Sequence, residues 1–170
     1  AKPLRKFGAH LKLKKNYTLP LTIKGSQNLK PIRYLENKGS AQVKSSIIFA
    51  GARTSGRTII KSKKSRDHTE RLFKYLRLPI KLKKKKNFDL IEVNKVKKIE
   101  PLNYKIPADL SSCAFFIALT ALLKDSKLTI KDVNINPTRT AALTILRKMG
   151  VKIFLVNKKI YKGEQLADIC

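Results

Sequence analysis

The chain is poor in the residue types that usually mark metal, redox and disulfide chemistry. Its 170 residues include two cysteines, two histidines, one methionine and no tryptophan. Cys113 and Cys170 are too few for a disulfide framework, so we expect a reducing, cytoplasmic compartment. His10 and His68 form no sequence cluster with the cysteines, and we therefore predict no metal site and no cofactor.

Long apolar runs are missing as well. No run approaches the roughly 20 residues that cross a bilayer. The first ten residues, AKPLRKFGAH, lack the apolar segment of a signal peptide. We expect no membrane partner.

Acidic residues are scarce: 11 Asp and Glu stand against 39 Lys and Arg, a formal charge of +28. Such a charge suits nucleic-acid binding, because Lys and Arg displace counterions from phosphates. The basic residues are spread over every segment, however, without the aromatic interleaving of single-strand binders. We favour a solvated lysine-rich surface and expect no specific nucleic-acid partner. The densest cluster, KLKKKKN at residues 81–87, lies between two strand-like runs and predicts a loop.

One seven-residue pattern occurs three times. RKFGAHL, LRLPIKL and RKMGVKI begin at Arg5, Leu76 and Arg147, 71 residues apart. A period near 70 residues indicates a structural repeat. Between these copies, residues 56–65 and 126–135 read as strands, each preceded by one helical run (40–52 and 110–123) and followed by another (67–77 and 136–150).

This order predicts an α/β domain of repeated βαβαββ units, with buried helices inside and sheets outside, around a pseudo-threefold axis. The predicted segments are the tail of one unit at 1–18, a unit at 19–101 and an apparently truncated unit at 102–170. We expect the chain to be a fragment of a longer protein.

The helices differ in their apolar patterns. Residues 110–123 have almost no polar face, which predicts a helix buried on most sides. The second helix of each unit is predicted to be amphipathic, with two apolar stripes: Thr69, Leu72, Phe73 and Leu76; and Ala142, Ile145, Leu146 and Met149.

The ends of these second helices also carry recognisable signals. Asp67 with Glu70 suggests a capping box. Asn136 with Pro137 suggests a capped helix start of purely structural role, and Gly150 a helix stop.

Five motifs in order carry a resemblance to a known family. They are LPLTIKGSQNLKPI (19–32), GSAQVKSSIIFAG (39–51), SRDHTERL (65–72), IPADLSSCAFF (106–116) and NPTRTAALTILRKMG (136–150). Together they resemble the EPSP synthase (3-phosphoshikimate 1-carboxyvinyltransferase) family, in its SAQVKS variety. The resemblance implies transfer of an enolpyruvyl group from phosphoenolpyruvate to the 5-hydroxyl of shikimate 3-phosphate, a step of chorismate and aromatic amino-acid biosynthesis. It also implies two similar domains that close over the substrates.

The segment GSAQ has the chemistry of an anion site. Ser40 is a good N-cap, and a helix that starts there offers free N–H groups and partial positive charge to a phosphate. The resemblance implies that Ser40, Ala41 and Gln42 contact shikimate 3-phosphate, and that Gln42 also reaches phosphoenolpyruvate. Arg66, whose guanidinium can hold phosphate or a hydroxyl pair bidentately, is implied to face the same substrate, with Ser65 a weaker neighbour.

Two further residues stay outside the predicted site. His68 is read as a polar residue at a helix start rather than a general base. Arg139 either points into a cleft or makes a salt bridge on a helix surface, and we do not assign it.

Other elements of the family are not found in this sequence. These are its N-terminal Lys-Ser segment with an Arg, its GNSGT-type segment, and the acidic and basic residues of the opposite domain. We therefore assign no catalytic residue here. The expected partners are the two substrates and the missing second domain of the same enzyme, with the complete protein a monomer. We expect the fragment alone to be inactive.

Two alternatives stay open at this stage. A relative of the UDP-N-acetylglucosamine enolpyruvyl transferase would share the fold and the donor, but not the SAQVKS, SRDHTE and NPTRT motifs. A non-catalytic basic nucleic-acid-binding module would show a steeply salt-dependent affinity for nucleic acid.

Overall fold

The chain opens with a short helix and a hairpin, and six elements in the order βαβαββ follow. The computed structural model describes residues 1–15 and 18–170. The first elements are α1 (Lys2–Lys6), β1 (His10–Leu13), β2 (Leu21–Lys24), β3 (Arg33–Glu36), α2 (Ala41–Gly51), β4 (Thr58–Lys63), α3 (His68–Tyr75), β5 (Ile80–Lys84) and β6 (Phe88–Val93). All of them belong to one unit, Ala1–Glu100.

The sheet of this unit has the strand order β3-β4-β6-β5. β3 and β4 run parallel, with Glu36 opposite Ser62, and α2 connects them. The other two pairs, β4 with β6 and β5 with β6, are antiparallel. The core contains Ile47 and Ile48 from α2 and Phe73 from α3, together with sheet residues such as Ile60 and Ile91. Helices and sheet thus bury one another's apolar sides.

The second unit, Pro101–Cys170, repeats this topology with a reduced first strand. Its elements are α4 (Leu110–Leu122), β7 (Ile130–Asn134), α5 (Ala141–Lys148), β8 (Leu155–Tyr161) and β9 (Glu164–Ile169). The strand order β7-β9-β8 is antiparallel and matches β4-β6-β5. A single parallel bridge, Ala108 to Val133, stands where β3 pairs with β4. The predicted α/β class is confirmed.

The first and last copies of the seven-residue pattern contain the same helix-ending turn at their fourth residue, and the middle copy contains a turn of the same kind two residues earlier, at Arg77. Gly8, Arg77 and Gly150 have φ values of 102°, 53° and 93°. In each copy the N–H of this residue donates to the carbonyl three residues back, and the next N–H donates to the carbonyl five residues back. This is the Schellman arrangement, which ends a helix and turns the chain. The predicted stop at Gly150 is confirmed, and a strand follows each of the three turns further along the chain.

The last helix begins later than predicted. Its first residue is Ala141, with Thr140 at the N-cap, so Asn136 does not cap it. Asn136 is fully buried, and its side-chain oxygen accepts from the N–H and the hydroxyl of Thr138. Its side-chain amide donates to Glu164. A short polar side chain that bonds its own backbone two residues on forms a turn in place of a helix start.

The predicted stripe of α5 is also wrong. Ile145 and Met149 are 58% and 73% exposed, whereas Leu143 is buried and Leu146 packs partly against the core. On α3 the stripe is right for Phe73, but the second buried residue is Glu70. In both cases the sheet of the unit, rather than the apolar pattern, decides which face is covered.

The apolar helix α4 is not buried on most sides within this chain. It buries Leu110, Cys113 and Ile117. Four large apolar side chains are more than half exposed: Phe115, Phe116, Leu119 and Leu122. The sheet of its unit covers one face only, so the described residues do not show the predicted burial on most sides. Among the described residues, no helix is both long and apolar enough to cross a membrane.

Two smaller predictions need correction. Residues 81–84 of the lysine cluster belong to strand β5, so the loop is shorter than predicted. The capping box at Asp67 does not form, because the carboxylate makes no cap hydrogen bond. It pairs instead with Arg71 at 2.8 Å and Lys84 at 3.3 Å.

The repeat boundaries proposed from sequence, 1–18, 19–101 and 102–170, stay predictions, as does the pseudo-threefold axis. Residues 16 and 17 of the first segment lie outside the described residues. β1 and β2 pair antiparallel across the predicted boundary between residues 18 and 19.

The helix-ending turns predict opposite effects of two substitutions in the first unit. Arg77→Gly should raise the free energy of unfolding by about 0.5–1 kcal/mol, because relief of left-handed strain exceeds the added entropy of the unfolded chain. Gly8→Ala should lower it by roughly 1–2 kcal/mol. Its new Cβ would meet only the Asn28 carbonyl at 3.6 Å, so the loss reports backbone strain. Urea unfolding followed by NMR signals of this unit measures both, and a stabilising Gly8→Ala would contradict the assignment.

Candidate functional site

The residues predicted to bind substrate lie on two neighbouring loops at one edge of the first unit's sheet. β3 and β4 are parallel, so their carboxyl ends meet at the same edge. The loop after β3 leads to Ser40, Ala41 and Gln42, and the loop after β4 carries Ser65 and Arg66. In open α/β sheets ligands bind beyond the carboxyl ends of the strands. The fold therefore brings the two predicted groups of site residues to a common edge.

A buried carboxylate shapes the first loop. Glu36, 3% exposed, accepts hydrogen bonds from the N–H groups of Lys38 at 3.0 Å and Gly39 at 2.9 Å. The Ser62 hydroxyl of the paired strand donates to it at 3.4 Å. Gly39 has a φ of 71°, and a Cβ there would lie 3.1 Å from the Lys64 carbonyl oxygen. Glycine thus lets the two loops approach each other.

The start of α2 has the geometry of an anion site. Ser40 is the N-cap, and its hydroxyl oxygen accepts from the Val43 N–H at 3.3 Å, as predicted. At the first turn, the N–H groups of Ala41 and Gln42 have no hydrogen-bond partner among the described residues. These donors lie at the positive end of an 11-residue helix. Ser40 and Ala41 are half-buried, and Gln42 is exposed.

The second loop contributes a cation and a hydroxyl. The Arg66 side chain is half-buried, and within the described part of the chain its guanidinium makes no ion pair or hydrogen bond. The Ser65 Oγ is covered from solvent and has no hydrogen-bond partner in that same part. Buried polar atoms are normally satisfied, so a hydroxyl without a partner is unusual.

A buried ion pair joins α2 to α3, the helices that follow the two loops, and our sequence reasoning missed it. The Lys44 Nζ lies 2.7 Å from the Glu70 Oε1, and both side chains are at most 2% exposed. The same ammonium donates to the Arg66 carbonyl oxygen at 2.8 Å. The signal was available: Lys44 occupies the buried stripe of α2 together with Ile47, Ile48 and Gly51, at i, i+3, i+4 and i+7. A lysine in such a stripe needs a partner.

One more hydrogen bond connects the same helices. The hydroxyls of Ser45 and Thr69 are 2.7 Å apart. His68, the first residue of α3, is half-buried. It lies beside this contact in sequence, in keeping with the predicted polar residue at a helix start.

In the second unit the corresponding helix start is already occupied by charges of the chain itself. Asp109 is the N-cap of α4 and accepts from the Ser111 N–H at 3.4 Å. Arg139 makes an ion pair with Asp109 and a hydrogen bond to the Ser111 hydroxyl. Burial raises the pKa of Asp109, but the Ser111 N–H and the Arg139 charge outweigh it and hold the pKa below its usual value. The sequence left two interpretations of Arg139 open, and the structure shows the salt bridge.

The carboxylate of this pair sets its pH dependence. Because the pKa of Asp109 is lowered in the folded chain, the pair contributes its stability above the unfolded pKa of Asp. The contribution is lost as the pH falls through the folded value. Metal ligands are not gathered anywhere in the described residues: no group of three or more His, Cys, Asp or Glu side chains is placed to hold an ion.

Solved structures with this architecture define the class of protein. An EPSP synthase from Acinetobacter baumannii matches 99% of this chain with a TM-score of 0.79 and 37% sequence identity, and the match covers 37% of that protein. The enolpyruvyl transferase NikO from Streptomyces tendae matches 98% with a TM-score of 0.62. It is 17% identical, so it shows the fold alone. The chain has the fold of enolpyruvyl transferases.

Sequence comparison narrows this class to one family. The family EPSP synthase (3-phosphoshikimate 1-carboxyvinyltransferase) matches residues 1–166. The 3-phosphoshikimate 1-carboxyvinyltransferase of Endomicrobium trichonymphae is 40% identical over 98% of this chain, and that of Caldicellulosiruptor saccharolyticus 41% over 98%. The chain belongs to the EPSP synthase family, as the motifs predicted. It spans 38% and 39% of the length of these two relatives.

Lys44 and Glu70 form a buried ion pair, so removing one partner should cost more stability than removing one partner of an exposed pair. Lys44→Met should lower the free energy of unfolding by about 3–5 kcal/mol, because Glu70 would be left buried without a counter-charge. Replacing both partners, Lys44→Met with Glu70→Leu, should restore most of that loss. Chemical unfolding measures each variant.

The matched control is Lys98→Met in the pair with Glu100, whose side chains are 77% and 70% exposed. It should change stability by less than about 0.5 kcal/mol. A Lys44→Met variant as stable as this control would show that the buried pair carries no structural role.

Proposed function

We propose that this chain forms the shikimate 3-phosphate-binding part of a 3-phosphoshikimate 1-carboxyvinyltransferase. The complete enzyme transfers the enolpyruvyl group of phosphoenolpyruvate to the 5-hydroxyl of shikimate 3-phosphate and releases phosphate. The observation that carries the proposal is the pair of N–H donors at the start of α2, on the same sheet edge as the guanidinium of Arg66, none of which has a partner in the described part of the chain. Family membership gives these donors their substrate.

The phosphate group of the substrate binds at the start of α2. The N–H groups of Ala41 and Gln42 donate to its oxygens, and the partial positive charge of the helix end favours an anion. The Ser40 oxygen accepts from the Val43 N–H, and its hydroxyl donates to the Gln42 side-chain oxygen at 3.5 Å, a long bond that a phosphate oxygen replaces. The first turn of α2 contains no acidic residue that would repel the phosphate.

The remaining side chains orient the ring of the substrate. Gln42, exposed in the first turn, carries a donor and an acceptor and so bridges a ring hydroxyl and the phosphoenolpyruvate anion. Arg66 holds the phosphate or a hydroxyl pair from the second loop. The Ser65 hydroxyl lacks a partner in the described residues, but its Oγ is covered from solvent and offers no contact to a substrate in this conformation.

Transfer itself needs groups that this sequence does not contain. Anionic substrates must be held by cations from both sides, and protons must move inside a closed, dry cleft. Those groups belong to the second domain, which is the principal partner of this chain. We propose a cytoplasmic enzyme that is monomeric when complete, with no nucleic-acid or membrane partner.

Of the alternatives raised by the sequence, the sister transferase acting on UDP-N-acetylglucosamine is disfavoured. The identities of 40% and 41% are to proteins named 3-phosphoshikimate 1-carboxyvinyltransferase. The motifs SAQVKS, SRDHTE and NPTRT, which that sister enzyme lacks, are all present. The basic binding module has no specific observation in its favour.

Shikimate 3-phosphate binding tests the proposed site directly. Gln42→Ala should weaken binding by about 0.5–1.5 kcal/mol through loss of the side-chain hydrogen bond to a ring hydroxyl, measured by NMR titration or calorimetry. Gln27→Ala, an exposed glutamine of the same unit, is the matched control and should bind as the native chain does. Equal affinity of both variants would remove Gln42 from the site.

The 170-residue chain should bind substrate yet release no phosphate from a mixture of shikimate 3-phosphate and phosphoenolpyruvate. Orientation and electrostatic preorganisation provide most of the rate, and one wall of the cleft supplies neither fully. A phosphate-release assay, repeated with the missing segments added in trans, checks this. Sustained turnover by the chain alone would overturn the assignment of a partial site.

A further inference from the structure

The lysine of the SAQVKS motif connects the two loops that carry the proposed site. Lys44 lies one turn into α2, four residues after the Ser40 N-cap. Its ammonium is fully buried and has two close acceptors, Glu70 on α3 at 2.7 Å and the main-chain oxygen of Arg66 at 2.8 Å. One side chain therefore fixes the start of α2, the start of α3 and the loop between β4 and α3.

The two acceptors have different consequences. Glu70 supplies the negative charge without which a buried ammonium would be too costly to keep charged. The Arg66 carbonyl needs no such charge, and its bond sets where the main chain of Arg66 lies relative to Ser40. The main chain of Arg66 is thus fixed by this hydrogen bond. Its guanidinium makes no ion pair in the described part of the chain and remains available to a ligand.

We propose that Lys44 is a positioning residue for substrate binding, which acts through Arg66, with Glu70 as its counter-ion. This inference rests on the proposed function and deepens it. When a flexible arginine binds a ligand, ordering the arginine costs conformational entropy and weakens binding. This cost is smaller for an arginine whose main chain is already fixed. Because a misplacement of about 1 Å lowers a reaction rate by about 100-fold, we expect a smaller loss of about tenfold in affinity.

A purely stabilising ion pair is the competing explanation. Apolar residues of similar volume often replace buried pairs without loss of stability. The variant Lys44→Met with Glu70→Leu, the apolar pair variant, therefore separates the two explanations. It keeps the packing and removes the donor to the Arg66 carbonyl. The matched control is Ser45→Ala with Thr69→Val, which removes the 2.7 Å hydroxyl contact between the same helices and leaves Arg66 untouched.

The experiment measures the shikimate 3-phosphate affinity of the 170-residue chain in a double-mutant cycle. The apolar pair variant should retain the native NMR amide spectrum outside the loop and bind about tenfold or more weakly. The control pair should bind within about twofold to threefold of the native chain. In an Arg66→Ala background, the apolar pair should cause no further loss, because its effect passes through Arg66.

Two results would overturn the positioning role: native affinity in the folded apolar pair variant, or the same loss with and without Arg66. Failure of the proposed function gives a different result, since the native chain itself would then not bind. In that event the order of the Arg66 and Asp67 amides, measured by ¹⁵N relaxation, decides the inference. The order of these amides should fall in the apolar pair variant and not in the control. Unchanged order in both variants would contradict the proposal.

Discussion

The parallel pairing of β3 with β4 is the constraint on which the candidate site depends. With Glu36 opposite Ser62, both strands end at one edge, and the chain must leave that edge twice to enter α2 and α3. Two loops far apart in sequence thereby become neighbours. The connection through α2 is the helical crossover that a parallel pair requires, so sheet, helix start and site are parts of one topological unit.

Buried polar groups turn this topology into a defined geometry. Glu36 orders the first loop through two N–H groups, and Lys44 ties that loop's helix to the second loop through Glu70 and the Arg66 carbonyl. Each of these charges would be unfavourable in the interior without its partners. Because the partners come from different elements, the charges are satisfied only when the two loops adopt this arrangement.

The two units show how one repeat position serves two purposes. At the start of α2 the cap is a neutral serine, and the first turn leaves donors available to an anion. At the start of α4 the cap is Asp109, which accepts a hydrogen bond from the Ser111 N–H and forms an ion pair with Arg139 of the same unit. An acidic cap both uses the helix-end donors and repels a phosphate. The repeat therefore preserves architecture, while single residues decide which helix start leaves its N–H donors available.

Local signals in the sequence were reliable where the deciding interactions are also local. Ser40 caps α2 because its hydroxyl lies three residues from the Val43 N–H, and Gly150 ends α5 because it accepts a left-handed conformation. The predicted start of α5 at Asn136 was wrong because its side chain bonds Thr138, two residues on, and so forms a turn. Its amide also reaches Glu164, 28 residues away, and no local pattern indicates that contact.

The sequence by itself determined the repeat, the order of its elements, the helix-ending turns and the family, since all of these depend on spacing and on near neighbours along the chain. Tertiary structure alone decided which faces are buried and which charges meet. Leu143 rather than Ile145 faces the sheet in α5, and Lys44 meets Glu70 and Arg66 across 26 and 22 residues. Strand pairing and helix packing choose such partners among distant residues, and no local pattern encodes that choice.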